Sequence, residues 1–225
     1  MGPRIDHYDW SGGGREALLR FGPDTGPVLI AILPLFEEAN RTRTFTVGLL
    51  RRLADRGIAG LLPDVPGQGE SLVPLANCTL PRMAEAIEAL AGQQRNSGRT
   101  PYALGIRSGA LLDTAAPVAG RWHIAPQDGE SLLRGLHRIW RASGHVETRN
   151  AMMRGATIAG NPLSAALLSS LADAAPCDRP DVPRRIVPAP AGAVPLWRRS
   201  EPDDDPALAD TLADDIAQWI ATCEA

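Results

Sequence analysis

The sequence predicts an α/β fold in which helices cover both faces of an open, mainly parallel β-sheet. Two observations carry this prediction. Short continuous apolar runs, of the kind buried on both faces of a parallel sheet, recur along the chain, and amphipathic segments of helical period separate them. The length of 225 residues suits one hydrophobic core, so we expect a single domain over residues 1–225.

Residues 27 to 64 contain the first predicted strand–helix–strand unit. The apolar run 27–34 is bounded by prolines and predicts a buried strand. We expect a loop at 35–44 and then an amphipathic helix at 45–56, which ends before Gly57. A second buried strand is predicted at 58–64, and this order implies a right-handed crossover.

The rest of the chain continues the alternation of helices and strands. We predict helices at 82–91, 109–116, 131–142 and 206–222, and strands at 102–106, 121–125 and 184–187. Residues 143–181 contain one clear helix, 164–174, and no strand pattern, and are predicted to be an insertion that serves as a small helical lid. The proline-rich stretch 175–195 is predicted to be extended.

Composition and charge exclude several classes of protein. The formal net charge is -3, from 23 basic and 26 acidic residues, so no basic footprint for nucleic acid is present. Three widely spaced cysteines without a CxxC pair predict reduced thiols rather than disulfides or a zinc site, and no cofactor is expected. The chain starts without an apolar signal segment and contains no apolar run of the ~20 residues that span a bilayer. We therefore expect a cytoplasmic protein without a transmembrane segment.

The segment Gly105-Ile106-Arg107-Ser108-Gly109 joins a predicted strand to a predicted helix. In the nucleophile elbow of α/β-hydrolases, small residues stand on both sides of the exposed nucleophile because the backbone passes other chain segments closely there. This spacing puts Arg107 at the nucleophile position and Ser108 one residue later. A guanidinium is neither a nucleophile nor a base near neutral pH, but it binds carboxylates and phosphates well. The structural alternative is that Arg107 pairs with a nearby acid and holds loops together.

Residues 36–43 are predicted to lie beside Arg107, at the carboxyl ends of the strands. They include Glu37, Glu38, Asn40 and Arg41, at the position where α/β-hydrolases supply an N–H group of the oxyanion hole. We expect Arg107 to contact Glu37 or Glu38, and at most one of them if this backbone is extended. The alternative is a solvated, charged loop.

A second glycine-rich segment follows the strand predicted at 58–64. Residues 64–71 have the form D-x-x-G-x-G-x-S and end in Ser71. This form is similar to a loop that lies beside the active site in α/β-hydrolases, where the glycines permit a tight backbone course. The alternative is an ordinary glycine-rich turn.

Longer stretches resemble one particular family. The runs LPLFEEANRTR, LLRRLADRGIAGLLPDVPGQGES and ALGIRSGALL, followed by IAPQDGESLLRGLHRIWRAS, IAGNPLSAALLSSLADA and VPLWRRSEPDDDPAL, look like the exosortase A system-associated hydrolases, second type. The resemblance covers most of residues 27–210 and is strongest in the first half. It implies an α/β-hydrolase fold, an association with exosortase and exopolysaccharide loci, and a nucleophile position that is often arginine.

The catalytic triad that this fold usually carries is incomplete in the sequence. Asp128 follows a predicted strand, at a place where some α/β-hydrolases have their acid. A base histidine is expected late in the chain, after the nucleophile and the acid. All four histidines precede residue 146, and the segment after the last predicted strand contains Trp197 and Glu201 instead.

Three functional hypotheses therefore remain open at the level of sequence. In the first, the protein binds an anionic or acyl small molecule, with Arg107, Glu37, Glu38, Asn40, Arg41 and Ser71 as candidate ligand-binding residues. In the second, it is an esterase-like serine hydrolase that uses Ser108, with Asp128 as a candidate acid. In the third, it is a non-catalytic partner of the exopolysaccharide or protein-sorting machinery.

Overall fold

The structure, a computed structural model, describes residues 2–12, 14–189 and 194–225. Its elements are, in chain order, β1 (Arg4–Trp10), β2 (Gly14–Phe21), β3 (Val28–Ile32), α1 (Glu37–Asp55), β4 (Ala59–Pro63), α2 (Leu80–Asn96), β5 (Pro101–Ile106), β6 (Gly120–Ile124), α3 (Gly129–Ala142), α4 (Arg149–Met152), β7 (Gly155–Ile158), β8 (Asn161–Ser164), α5 (Ala165–Leu171), β9 (Arg184–Val187) and α6 (Pro206–Glu224). Among these residues, no helix is both long enough and apolar enough to cross a membrane.

The main sheet has seven strands in the order β1-β2-β4-β3-β5-β6-β9. The five strands from β4 to β9 are parallel to one another, and the β1–β2 hairpin joins them antiparallel at the β4 edge. Ile32 lies opposite Gly105 and Ile106 lies opposite Ile124, so β3, β5 and β6 end at one level. The loops that follow these strands therefore lie together at the carboxyl edge of the sheet, where open α/β sheets bind ligands.

Helices cover both faces of the sheet, as predicted. Alternate residues of β3 point to opposite sides: Leu29 belongs to the core under α1 and α6, whereas Ile30 belongs to the core under α2 and α3. Strands β3, β4, β5 and β6 are buried along their whole length, which explains their continuous apolar runs.

Helix α1 is longer than the sequence predicted, and the expected loop at 35–44 is wrong. The helix begins at Glu37, and its first turn holds Glu37 and Glu38, whose charges favour a helix N-terminus. The hydroxyls of Thr42 and Thr46 donate hydrogen bonds to carbonyl groups four residues earlier, which keeps these β-branched residues within the helix. The sequence prediction failed here because polar side chains at the start of a helix resemble the composition of a loop.

The helix predicted at 109–116 is absent, which is a second correction. Only a short 3-10 turn, Arg107–Leu111, follows β5. The guanidinium of the buried Arg121 donates hydrogen bonds to the carbonyl oxygens of Asp113, Thr114 and Ala116. These carbonyls are held in a loop conformation by a side chain from β6 that is distant in sequence, so local propensity could not reveal it.

The insertion at 143–181 lies between α3 and β9 and contains more than helix. It comprises α4, the β7–β8 hairpin and α5, and its strands of four residues each escaped prediction. Leu167, Leu168 and Leu171 are fully buried in the core beneath α2 and α3. The prediction that this insertion acts as a lid remains a prediction. Of the extended stretch predicted at 175–195, residues 190–193 lie outside the described residues, and the strand β9 matches the predicted 184–187.

Candidate functional site

The turn after β5, residues 105–109, is called here the elbow. Arg107 stands at its tip with a φ of 55°, which is a strained conformation for a residue other than glycine. A Cβ atom on Gly109 would lie 2.3 Å from the carbonyl oxygen of Ile32, and one on Gly105 would lie 2.8 Å from the Cα of Ala110. Both glycines are therefore required by close packing, and the strained residue between them presents its side chain to the carboxyl edge.

Arg107 is held by three neighbours. Its Nε lies 3.3 Å from Oε2 of Glu38, its Nη1 donates to the carbonyl oxygen of Ala125 at 3.3 Å, and its Cζ lies 5.0 Å from the centre of the Trp197 ring. The predicted contact with one of the two glutamates is therefore present, although their backbone is helical rather than extended. Arg107 keeps 17% of its side chain exposed, so it can still contact a molecule in the adjacent space.

Glu38 is an imperfect partner for this arginine. Burial raises the pKa of its carboxyl group, and the nearby guanidinium of Arg107 opposes the rise without cancelling it. The distance of 3.3 Å is also long for a charge-assisted hydrogen bond, for which 2.7–2.9 Å is typical. An anion that enters the site can therefore compete with Glu38 for the guanidinium.

Ser108 is fully buried and points away from the space above the elbow. Its Oγ accepts a hydrogen bond of 2.9 Å from the backbone N–H of Leu35. The next N–H in this loop, on Phe36, donates to Oε1 of Gln68 at 3.3 Å, and Phe36 itself has a strained φ of 64°. The N–H groups at the place of an oxyanion hole are thus bonded to side chains of the protein itself.

No histidine among the described residues is hydrogen-bonded to Ser108. His123 is fully buried on β6 and its Nε2 lies 2.7 Å from Oδ2 of Asp113. Asp128 caps the N-terminus of α3, where its Oδ1 accepts a hydrogen bond from the N–H of Ser131. This backbone hydrogen bond lowers the pKa of Asp128.

Trp197 lies over the elbow, in the segment that follows the last strand of the sheet. It is buried, and its backbone carbonyl accepts a hydrogen bond of 3.1 Å from Nη1 of Arg41. In a triad hydrolase, the base histidine approaches the nucleophile from this late part of the chain. Here an indole ring covers the guanidinium of Arg107 instead.

A cleft of about 580 Å³, called here the basic cleft, opens beside Arg107. Most of its lining residues are polar or charged, and they come mainly from α3 and the loops on either side of it. They are Arg107, Pro126, Gln127, Asp128, Ser131, Arg134, His137, Arg138, Arg149 and Arg198. Five guanidinium groups line this cleft; Arg107 is paired with Glu38, and Arg134 and Arg149 are paired with Glu130.

A second cleft of about 390 Å³, called here the mixed cleft because charged and apolar residues line it in equal number, adjoins the first. Leu132, Leu136 and Ile139 form one wall along α3, and Leu35 and Trp197 also line it. Glu37, Glu38 and Arg41, three of the predicted ligand-binding residues, stand at its edge. Arg107, Gln127, Arg138 and Arg198 line both clefts, so the two spaces are continuous around Arg107.

Two predicted site residues lie apart from these clefts. Asn40 lines a small separate space with Arg43, Asp64 and Gln68. The hydroxyl of Ser71 accepts hydrogen bonds from the N–H groups of Gly67 and Val73 within its own loop. Their roles in ligand binding stay predictions.

The sequence interpretation did not include the other arginines of the basic cleft. Arg134 and Arg138 are four residues apart on α3 and follow β6, so their shared helix face at the carboxyl edge was a usable signal. Arg149 and Arg198 come from distant segments, and only the tertiary structure brings them to the same cleft.

Known structures share this fold, although the sequence matches no protein-family model and no curated protein. A proposed hydrolase from Agrobacterium vitis S4 is 15% identical, with 97% of this chain and 98% of that chain covered and a TM-score of 0.62. An α/β hydrolase from Sphaerobacter thermophilus is 17% identical, over 96% and 100% of the two chains, with a TM-score of 0.56. A thermophilic esterase from Thermogutta terrifontis is 15% identical, over 99% and 100%, with a TM-score of 0.55. The chain spans only 40% and 61% of two other hydrolases that it resembles. The protein described here has the α/β-hydrolase fold. Sequence identities this low support a shared fold and nothing further.

Proposed function

We propose that this α/β-hydrolase-fold protein binds an anionic small molecule over Arg107 and does not use Ser108 as a nucleophile. The observation that carries the proposal is the placement of two neighbouring side chains at the elbow. The side chain that faces the clefts is a guanidinium, and the neighbouring hydroxyl is buried against the N–H of Leu35.

The charge around Arg107 supports an anionic ligand. Arg107 shares the basic cleft with Arg134, Arg138, Arg149 and Arg198, while the whole chain has a formal net charge of -3. Positive charge is therefore concentrated locally against the balance of the whole molecule, as expected where an anion has to be attracted and oriented.

The alternative of an esterase-like hydrolase would require Ser108 to leave its hydrogen bond with Leu35 and to find a base. One histidine of the central sheet, His123, is fully buried and bonded to Asp113. The family resemblance adds a proposal about context: the ligand or a partner belongs to the exopolysaccharide or protein-sorting machinery. The anion-binding proposal does not depend on this association.

The nucleophile half of the proposal is tested with a fluorophosphonate probe, which modifies activated serine hydroxyls. We expect no labelling of Ser108 at neutral pH, because its hydroxyl is buried and lacks a base. Mass spectrometry of the intact protein checks this, with Ser108→Ala as the matched control. Stoichiometric labelling of the natural protein that disappears in Ser108→Ala would favour the serine hydrolase instead.

The binding half is tested by thermal denaturation in sodium phosphate and in sodium chloride of equal ionic strength. A ligand that binds only the folded state raises Tm with its concentration. We expect phosphate to raise Tm above the value in chloride, and we expect a smaller difference in Arg107→Ala, because the general stabilising effect of phosphate acts on both proteins alike. Equal Tm values across the whole concentration range would contradict the proposed function.

A further inference from the structure

The carboxyl group of Glu16 is buried where the β1–β2 hairpin meets the glycine-rich loop 64–71. We infer that Glu16 is a pH-sensitive switch: the loop packs against the hairpin while this carboxyl group is protonated, and ionisation of the group loosens the loop. The inference is independent of the proposed function, because neither Glu16 nor the loop lines the basic or the mixed cleft.

Glu16 has no cation to balance its charge. Only 1% of the residue is exposed, and its Oε2 is buried without a hydrogen-bond partner among the described residues. It belongs to no ion pair in the described part of the chain, and two arginines of this region are engaged elsewhere. Arg43 pairs with Asp64 at 2.9 Å, and Arg82 donates to two backbone carbonyl groups. A carboxylate is unfavourable in such a place, whereas the neutral acid is tolerated.

The titratable and polar groups that face Glu16 come from several parts of the chain, and none of them carries a positive charge. They are Tyr8 and Trp10 on β1, Asp64 after β4, Ser71 in the loop and Cys78 before α2. Burial is the main cause of a raised pKa at Glu16, and the carboxylate of Asp64 adds to the rise, while the hydroxyl of Ser71 opposes it.

Ser71 connects this carboxyl group to the loop. Its hydroxyl oxygen accepts hydrogen bonds from the N–H groups of Gly67 at 3.1 Å and Val73 at 3.2 Å. The proton of the same hydroxyl is left for the carboxyl group of Glu16. The packing of the loop and the surroundings of Glu16 are therefore coupled.

The loop is the side of this junction that can open. The strand that carries Glu16 is paired on both sides, with β1 and with β4. The start of the loop is joined to the hairpin by single hydrogen bonds: the N–H of Asp64 donates to Ala17 at 2.9 Å, and the hydroxyl of Tyr8 donates to the carbonyl oxygen of Asp64 at 2.6 Å. Local opening that admits water returns the pKa of Glu16 toward its ordinary value. The closed state is therefore favoured below that value and loses this advantage as pH rises through the raised pKa.

Opening of the loop extends to the carboxyl edge of the sheet. The loop carries Gln68, whose Oε1 accepts a hydrogen bond of 3.3 Å from the N–H of Phe36. This N–H group stands at the place of an oxyanion hole, so a loosened loop releases it from its partner.

The experiment is hydrogen–deuterium exchange of the full chain from about pH 5 to about pH 9, read by mass spectrometry. Protection is expressed relative to the unfolded chain at each pH, which removes the intrinsic pH dependence of exchange. We expect the protection of residues 64–73 to fall at least roughly threefold over this range, while the protection of α6, on the other face of the sheet, stays level.

Glu16→Gln tests the assignment to this residue, because the amide has the shape of the protonated acid and does not ionise. Residues 64–73 of this variant should keep level protection at every pH. Glu16→Met, which also places a neutral side chain there, should give the same result. The matched control is Glu85→Gln, since Glu85 is an exposed glutamate on α2, and this variant should respond to pH as the natural protein does.

Three results would overturn the inference. Level protection of residues 64–73 in the natural protein would show that no switch operates in this range. An equal fall in α6 would show a global loss of stability rather than local opening. A fall in Glu16→Gln or Glu16→Met that matches the natural protein would assign the effect to another group. The comparison of the loop with α6 is made within one chain, so it needs no variant.

Discussion

At the scale of single residues, the site is defined by what surrounds Arg107. Its guanidinium contacts a carboxylate, a carbonyl oxygen and an indole ring. These contacts fix its position, but the long contact with Glu38 leaves it able to exchange partners. The structural alternative, in which Arg107 only holds loops together, and the ligand-binding role therefore make different predictions about Glu38.

Glu38→Gln should strengthen phosphate binding, because it removes the carboxylate that competes for Arg107. We expect the Kd of methyl phosphate to fall roughly 3- to 10-fold, equivalent to about 0.7–1.4 kcal/mol. Calorimetry at pH 7 measures this, and Glu85→Gln is the matched control because Glu85 lies on α2 and lines neither cleft. A purely structural role for the pair predicts lower stability and no gain in affinity.

The stability of the protein should also depend on pH through Glu38. Its pKa in the folded state is raised, chiefly by burial, above the ordinary value near 4.5. The folded state therefore holds this proton more tightly than the unfolded state, so the free energy of unfolding falls as pH rises from about 4.5 through the raised pKa. Glu38→Gln has no ionisable proton at this position, so the free energy of unfolding of the variant should depend less on pH in this range. Urea denaturation at several pH values measures this. An identical pH profile in the variant would argue against the raised pKa.

At the scale of secondary-structure elements, the elbow depends on glycines that permit close approach. A methyl group on Gly109 would lie 2.3 Å and 2.6 Å from the carbonyl oxygens of Ile32 and Leu33. Because both obstacles are backbone atoms of the central strand region, the turn has to shift to accommodate it. The position of Arg107 is thus tied to the end of β3.

Gly109→Ala should consequently destabilise the protein, by about 1–3 kcal/mol, as overpacking of a tight site does. Gly92→Ala, in the open space on α2, should instead stabilise it by up to about 1 kcal/mol. Urea denaturation of both variants gives the two values. Equal stability of Gly109→Ala and the natural protein would mean that the elbow is not packed as described.

Some secondary-structure elements could be predicted from the sequence and others could not. Strands β3, β4 and β5 were predicted because continuous apolar runs are typical of strands buried on both faces of a sheet. The helix expected at 109–116 was wrong because Arg121, from the next strand, binds the carbonyl groups of that stretch. The β7–β8 hairpin was missed because two strands of four residues leave too short a pattern to recognise.

At the scale of the whole molecule, the fold brings together groups that are far apart in sequence. The spacing of the glycines was enough to single out Arg107 and its contact with the start of α1. It could not reveal that Arg149 and Arg198 share a cleft with it, because the insertion and the segment after β9 reach the site only through the tertiary structure. The central claim is that this assembly makes Arg107 the anchor of an anion site.

Titration of methyl phosphate into the natural protein and into Arg107→Ala tests that claim most directly. We expect Arg107→Ala to remain folded, by circular dichroism, and to bind methyl phosphate at least roughly tenfold more weakly, since a charge-assisted contact is worth about 1.5–3 kcal/mol. Arg95→Ala is the control, because Arg95 is an exposed arginine on α2 that lines neither cleft. A folded Arg107→Ala variant that binds methyl phosphate as tightly as the natural protein would show that Arg107 does not anchor the anion.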